Sequence, residues 1–334
     1  MREAHIPTSR GPNALRLFAY LFFVGALGFA LVAKWMGDVF FLRLATEALI
    51  FGGLALSVDL LLGRVGLLPL GQALFFGLGA YVSALVLKEW SASFWLSLGV
   101  TLAVCALAGL VGGIIAIRSK GVYFALISFG LAQVVSKIVF NTRELGASDG
   151  IIGVPSVMVF PGVSSADPLG FFLVTLCIIL GLYAGLRYLI ETPMGRQLSA
   201  IRTNEHRVPF LGFDPWRFKL MAFVGAACIA GISGALYPML RGFVSPELMF
   251  FQVSGNAVIN VIVGGTGTLI GPLYGSVLLT GLRSVVGSFT AHHQIIIGLL
   301  FVVVVILFPR GLIGYLGPVL ESRLNRSGRS QGAL

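Results

Sequence analysis

Charge is what this sequence has least of: Asp, Glu, Lys and Arg make up 11% of its 334 residues, against roughly 25% in an ordinary soluble domain. With 57% hydrophobic residues and a mean hydropathy of +0.96, that scarcity excludes a soluble globular chain and points to an integral membrane protein. Cysteine is nearly absent too. Cys105, Cys177 and Cys228 stand singly in apolar runs, which excludes a disulfide framework or a cysteine metal site and leaves them as small core residues. No G-x-x-x-x-G-K-[ST], G-x-S-x-G, H-E-x-x-H or paired C-x-x-C occurs, so neither nucleotide binding nor covalent chemistry has a signature here. We expect no catalytic residue, no metal and no cofactor, and any drive for transport must come from a partner or an ion gradient.

What is there instead is a succession of charge-free runs: 17–33, 65–87, 90–117, 121–136, 168–186, 220–240, 248–282 and 284–309. A hydrocarbon core of about 30 Å takes roughly 20 helical residues, and none of the runs shows the period-2 alternation of a lipid-facing barrel. The expected fold is therefore all-α, a polytopic bundle with eight spans at 17–33, 44–62, 66–87, 94–117, 121–140, 169–189, 218–240 and 294–308. The first run follows Arg2, Arg10 and Arg16, but no small-x-small cleavage site follows it, so it reads as a retained helix. The net charge of +10 needs no nucleic-acid partner, because its distribution accounts for it. Alternating sides from a cytoplasmic N-terminus puts 16 of the 23 Lys and Arg residues inside and 7 outside, as the positive-inside rule requires.

The run 248–282 has 35 residues and would be about 52 Å long as one helix at ~1.5 Å per residue, too long for a single crossing. Gly264-Gly265-Thr266-Gly267 marks the place to break it. A re-entrant pair entering and leaving from outside keeps the 16 to 7 partition. A single crossing changes it to 13 inside and 10 outside. A second glycine-interrupted stretch, GLLPLGQALFFGLGAY at 66–81, contains Pro69 and Gln72. Irregular backbone at membrane depth persists only when buried in protein or lining a wet cavity. Two such segments, one in each half, point to a transport path between inverted repeats. Glycines that merely let helices approach are the alternative; Gln72, Asn256 and Asn260 favour the path.

Outside the spans, 141–168 is rich in Gly, Pro, Ser and Asp and is expected to form a structured external cap. The longest inner loop, ETPMGRQLSAIRTNEHRVPFLGFDPWRFK from Glu191 to Lys219, is too polar for lipid. A short helix from Ser199 to Arg207, ended by Pro209 and Gly212, would leave Arg202, Glu205 and Arg207 to a partner, or the loop would lie on anionic headgroups. Asp59 is an acid inside a span, which is costly. It reads as a structural cap or an ion pair with Arg64, or else as a proton-linked group in the path.

LSVDLLLGRVGLLPLGQALFFGLGAY (56–81), RSKGVYFALISFGLAQVV (118–135), AIRTNEHRVPFLGFDPWRFKLMAFVGAACIAGISGALY (200–237) and GGTGTLIGPLYGSVL (264–278) together resemble the LivM-type permease subunit of branched-chain amino-acid ABC importers, in order from about residue 44 to 315. The resemblance implies a single transmembrane permease domain over 1–334 in the bacterial cytoplasmic membrane, multi-pass, with both termini cytoplasmic. It comprises an N-terminal segment 1–16, an external loop 141–168, a coupling loop 191–217 and a basic tail 310–334. It also implies a second permease chain, two cytoplasmic ATP-binding subunits and a periplasmic or lipid-anchored substrate-binding protein. The coupling loop would contact the ATPase through Arg202, Asn204, Glu205, Arg207 and Gly212. Arg207 and Pro209 depart from the family pattern, as do Gln72, where a histidine is frequent, and Asp59, where an asparagine is frequent. The substrate path is expected from Gly71, Gln72, Phe75, Phe76, Tyr81 and Tyr123 on one side and Asn256, Asn260, Gly264, Gly265, Thr266 and Gly267 on the other. Branched-chain amino acids are the default cargo, with urea, amides or small aromatic acids as alternatives. An ion-coupled secondary transporter and a scaffold or receptor subunit are the readings of other classes.

Overall fold

The computed structural model describes residues 12–289, the single positions 295, 296, 298, 299, 301, 302 and 306, and 311–315. The span expected at 294–308, the tail 310–334 and the segment 1–16 therefore lie largely outside the described residues.

Among the described residues, seven helical stretches are long and apolar enough to cross a membrane: Leu15–Met36, Val39–Val65, Gln72–Trp90, Phe94–Ala116, Val122–Asn141, Pro168–Glu191 and Pro215–Arg241. They coincide with the first seven expected spans, with two changes at the early break. The second helix runs on as a π-helical turn, Leu60–Val65, and the third begins at Gln72 rather than at Gly66. Gly66 takes a left-handed φ of 82°, and the chain stays non-helical to Gly71.

The α-helices are α1 (Pro12–Met36), α2 (Val39–Asp59), α3 (Gln72–Leu85), α4 (Phe94–Ala116), α5 (Val122–Asn141), α6 (Pro168–Glu191), α7 (Pro193–Asn204), α8 (Pro215–Arg241), α9 (Phe251–Gly264) and α10 (Gly271–Phe289). Several starts follow from local chemistry. Asp38, Asp167 and Asp214 each accept from a backbone N–H of the first turn, and Pro168, Pro193 and Pro215 occupy first-turn positions, where a missing N–H costs nothing.

Lipid is as apolar as leucine, so helices in a membrane associate through close packing and hydrogen bonds. α3 and α8 show both. A methyl group on Gly79 would come within 2.7 Å of Gly231 Cα. Ser97 Oγ donates to Ser83 Oγ at 2.9 Å, and Ser83 Oγ donates to the Ala235 carbonyl at 2.9 Å. α10 is tied to α2 where Ser276 Oγ donates to the Ala48 carbonyl at 2.7 Å.

The membrane body is all-α, as expected, and short strands appear outside the spans. Segment 141–168 carries β1 (Ile151–Ile152), β2 (Met158–Phe160) and β3 (Val163–Ser164). β1 pairs antiparallel with β4 (Phe243–Val244), and β2 pairs with β3. Beyond the 3-10 turn Arg143–Leu145 the backbone here has no helix to satisfy it, and short ladders contribute instead.

Contacts sort into two ends of the bundle. At one end the α4–α5 turn, the loop after α7 and the base of α8 meet, and Arg202 reaches Gly63. At the other, Glu47 pairs with Arg241, Lys88 donates to the Ile152 carbonyl, and β1 meets β4. Glu47 and Gly63 lie sixteen residues apart along one helix, about 24 Å at ~1.5 Å per residue.

Candidate functional site

The early and late breaks sit side by side. Asp59, at the end of α2, is fully buried. Its Oδ1 accepts from the Gly267 N–H at 2.6 Å and its Oδ2 from the Leu269 N–H at 3.0 Å. The carboxylate is thus a cap, but of a turn more than two hundred residues away in sequence. A charge inside a membrane protein survives when its lone pairs are taken. Thr268 Oγ1 staples the same turn, donating to the Gly265 carbonyl at 2.7 Å and accepting from the Gly271 N–H at 3.0 Å. α9 ends at Gly264 and α10 starts at Gly271, so the break falls where the glycines place it.

At the head of α3, the Leu70 N–H donates to Ser128 Oγ at 3.2 Å, and the Ala73 N–H donates to Ser254 Oγ of α9 at 2.9 Å. Gln72 is 1% exposed, and neither atom of its amide has a hydrogen-bond partner among the described residues. It lines a cavity of about 10 Å³ with Gly71, Phe75, Ser128 and Phe223, room for one water of the kind that satisfies such groups.

Asn256 and Asn260 line a different cavity, of about 60 Å³, between α2, α9 and α10, with Phe51, Val253, Leu279, Thr280 and Arg283. Gln72 and the two asparagines thus line separate spaces, and Phe51, which stacks on Phe76 at 5.5 Å between centroids, lines the larger one. Phe75 packs edge-on against Phe223. Both phenylalanines, like Tyr81, are buried; the Tyr81 hydroxyl has no partner among the described residues. Tyr123 stands apart, 74% exposed in the first turn of α5. Thr266 lies in the turn between α9 and α10 and is half-buried.

The loop after α6 departs from expectation in its helix. α7 begins at Pro193, not Ser199, and ends at Asn204; Leu198 and Ile201 bury against the body, so an apolar face sets its limits. Asn204 accepts from the His206 N–H at 3.1 Å. Glu205 is turned inward: its Oε1 meets Lys219 Nζ at 2.8 Å and Lys120 Nζ at 3.2 Å. Burial pushes its carboxyl up, but the two ammonium groups outweigh that and hold it below the usual 4.5. Arg207 is exposed, and Gly212, at φ 80°, closes the turn Pro209–Leu211. Beside its exposed polar side chains this loop presents an apolar cluster: Phe210 is 91% exposed, with Leu211, Phe213 and Trp216 exposed near it in sequence.

Sequence reading missed Thr268, Leu269, Arg283, Ser128, Lys120 and Lys219 as members of these clusters. Thr268 carried a faint signal, a threonine three residues before Gly271 at a helix start; the others had none, since their partners are remote in sequence.

A family model described as the branched-chain amino acid transport system / permease component matches residues 40–305. The high-affinity branched-chain amino acid transport system permease protein LivM of Salmonella typhimurium is 29% identical over 337 residues, covering 93% of this chain and 78% of that protein. Its Escherichia coli counterpart is 29% identical over 325 residues, covering 90% and 76%. A probable branched-chain amino acid transport permease of Methanocaldococcus jannaschii is 24% identical over 241 residues, covering 64% and 67%. No solved structure matches. A helical membrane body interrupted by two adjoining breaks, matched over most of its length by one family, makes the chain a member of the branched-chain amino acid ABC transport permeases, a transport subunit and not an ATPase.

Proposed function

We propose that this chain is one half of the membrane path of an ATP-driven importer for branched-chain amino acids, facing a second permease chain. Two cytoplasmic ATP-binding subunits would drive it, and a substrate-binding protein would feed it from outside a bacterial cytoplasmic membrane. One observation carries the path: the cavity between α2, α9 and α10. Asn256, Asn260, Thr280 and Arg283 offer hydrogen bonds and one guanidinium, while Phe51, Val253 and Leu279 offer apolar contact. That combination suits a zwitterion with an aliphatic side chain. At about 60 Å³ the space holds a few waters rather than an amino acid, so it must open for cargo to pass.

α9 and α10 fit a re-entrant pair. α9, at 14 residues, is about 21 Å long and follows the end that holds Arg241. The intervening turn touches Gly63 and Arg202 at the other end, and α10 brings Arg283 back within electrostatic reach of Glu47. The two breaks would be counterparts in inverted halves. The end bearing Phe210 faces the cytoplasm, where its apolar knob docks the ATPase; both termini are cytoplasmic, and the strand-bearing end meets the binding protein.

Asp59 and Glu47, the acids an ion-coupled transporter could use, are engaged by backbone N–H groups and by Arg241, which supports the ATP-driven reading over the ion-coupled one. Urea and neutral amides lack the carboxylate that Arg283 would meet. In proteoliposomes holding the complete complex, Arg283→Gln should cut leucine uptake at least tenfold with assembly intact. Unaltered leucine uptake would remove this cavity from the path, and uptake of urea but not leucine by the wild-type complex would overturn the cargo.

A further inference from the structure

Leu269 has φ 62°, a left-handed conformation that a bulky non-glycine residue adopts only when its surroundings impose it. It is 4% exposed. Among the described residues only Ala147, in the external loop, shares this trait. What imposes it is visible. Asp59 holds both the Leu269 and the Gly267 N–H groups, and Asp59 is the last residue before the π-helical turn Leu60–Val65.

That turn touches the late break directly. A methyl group on Gly63 would stand 2.6 Å from Gly267 N and 2.7 Å from Gly267 Cα, with Asp59 Oδ1 nearer still, so the two backbones meet beside the Asp59 carboxylate. On the outer side of the contact lies Arg202, in the last turn of α7. Its Nη1 donates to the Gly63 carbonyl. The same nitrogen lies 3.5 Å from where a Gly267 Cβ would be, and its Cγ packs against Gly66 at 3.1 Å from the corresponding point. One side chain of the peripheral loop therefore rests on the end of α2, on the start of the early break and on the turn of the late one.

We propose that Asp59, Gly63 and Arg202 form the joint that carries movement of the α7 loop into both broken segments. Arg202 is a positioning residue. When α7 is displaced, its guanidinium leaves the Gly63 carbonyl, which is part of a π-helical turn holding one more residue per turn than an α-helix would. π-Turns inside α-helices are frequent at functional sites. Relaxation of this one re-aims Asp59, and the Leu269 N–H is released from the carboxylate that keeps its residue left-handed. The segment 265–270 then changes conformation, and with it the placement of α9 and α10, whose residues Asn256, Asn260, Thr280 and Arg283 line the cavity. The local linkage stands on these contacts alone; its role in transport rests on the reading that an ATPase moves the loop.

Hydrogen exchange on the full-length chain in lipid nanodiscs tests the linkage, and uptake per ATP by the complete complex in proteoliposomes tests its use. Arg202→Ala should raise exchange of the 265–270 amides at least tenfold while α8 stays protected. Arg202→Lys should restore part of the protection, and Arg196→Ala, on the exposed side of the same helix, should change nothing. Asp59→Asn should raise exchange in the same segment. Arg202→Ala should also lower leucine uptake per ATP at least tenfold with the subunits still bound. Unchanged exchange at 265–270 in Arg202→Ala overturns the joint, and so does raised exchange with unchanged uptake per ATP. If the wild-type complex shows no ATP-dependent uptake, it is the permease reading that falls, and the exchange result still decides the linkage.

Discussion

Glu205 illustrates how a residue's partners decide its chemistry. With two ammonium groups on one carboxylate, its pKa lies below the ordinary glutamate value in the folded chain. Its contribution is therefore complete above the unfolded value and is lost only as pH falls through the lower, folded one. The loop after α7 should stay docked at pH 5 and detach only on stronger acidification, read by the fluorescence of the half-exposed Trp216. Glu205→Gln should abolish that acid transition and weaken docking by about 1–3 kcal/mol, because Lys219, buried at 3% exposure, loses its charged partner. A shift in fluorescence already at pH 6 would contradict this. Sequence alone could show that Glu205 was one of three acids, with Glu191 and Asp214, in a basic loop. Its partners come from the α4–α5 turn and the base of α8, so its inward turn was not legible. Gln72, Asn256 and Asn260 were legible because an amide in an apolar run is rare enough to need a reason. The exposure of Tyr123 was not legible, because an aromatic near a helix start reads the same whichever side it faces.

Helix limits and breaks follow rules of a longer range. The late break was visible as three glycines in four residues inside a run too long for the bilayer, and the structure interrupts the helix there. Leu269 was not visible, since nothing in its residue type asks for a left-handed backbone. The helix expected from Ser199 begins earlier, at Pro193. The stronger signal was Thr192-Pro193, followed by Leu198 and Ile201 three residues apart on one face. Element packing yields two expectations. Gly79→Leu inserts a side chain where α3 and α8 backbones meet, and overpacking of this kind costs about 1–3 kcal/mol. The variant should melt lower in detergent, while Gly99→Leu, at a glycine with open space around it, should not. Phe210→Asp changes a side chain that is 91% exposed, so the fold should be unaffected to within about 0.5 kcal/mol. The same variant should lose most of the ATPase subunit on co-purification. Full retention would place the docking contact elsewhere on the loop.

The whole molecule is organised by sidedness. Counting Lys and Arg between runs assigned residues 64, 118–120 and 202–219 to one side of the membrane and 43, 88, 143, 241 and 283 to the other. The folded chain brings Lys120, Arg202 and Lys219 of the first set to Gly63 and Glu205, and Lys88 and Arg241 of the second to the opposite end. A charge count knows nothing of contacts, so agreement between the two is independent support for the alternation of spans. It does not by itself say which end is cytoplasmic; only the excess of basic residues does. Single cysteines make that physical. With Cys177 and Cys228 replaced, Ser148→Cys in the segment 141–168 should react in intact cells with a membrane-impermeant maleimide, and Arg196→Cys on α7 only after permeabilisation. Asn256→Cys, within the cavity, belongs to neither side. If the α9–α10 pair opens outward, it should label slowly in intact cells and its rate should change when ATP binding is trapped. A rate for Asn256→Cys that is zero from both sides in every nucleotide state would mean that the break is sealed in protein, and the glycines would then be there for packing alone.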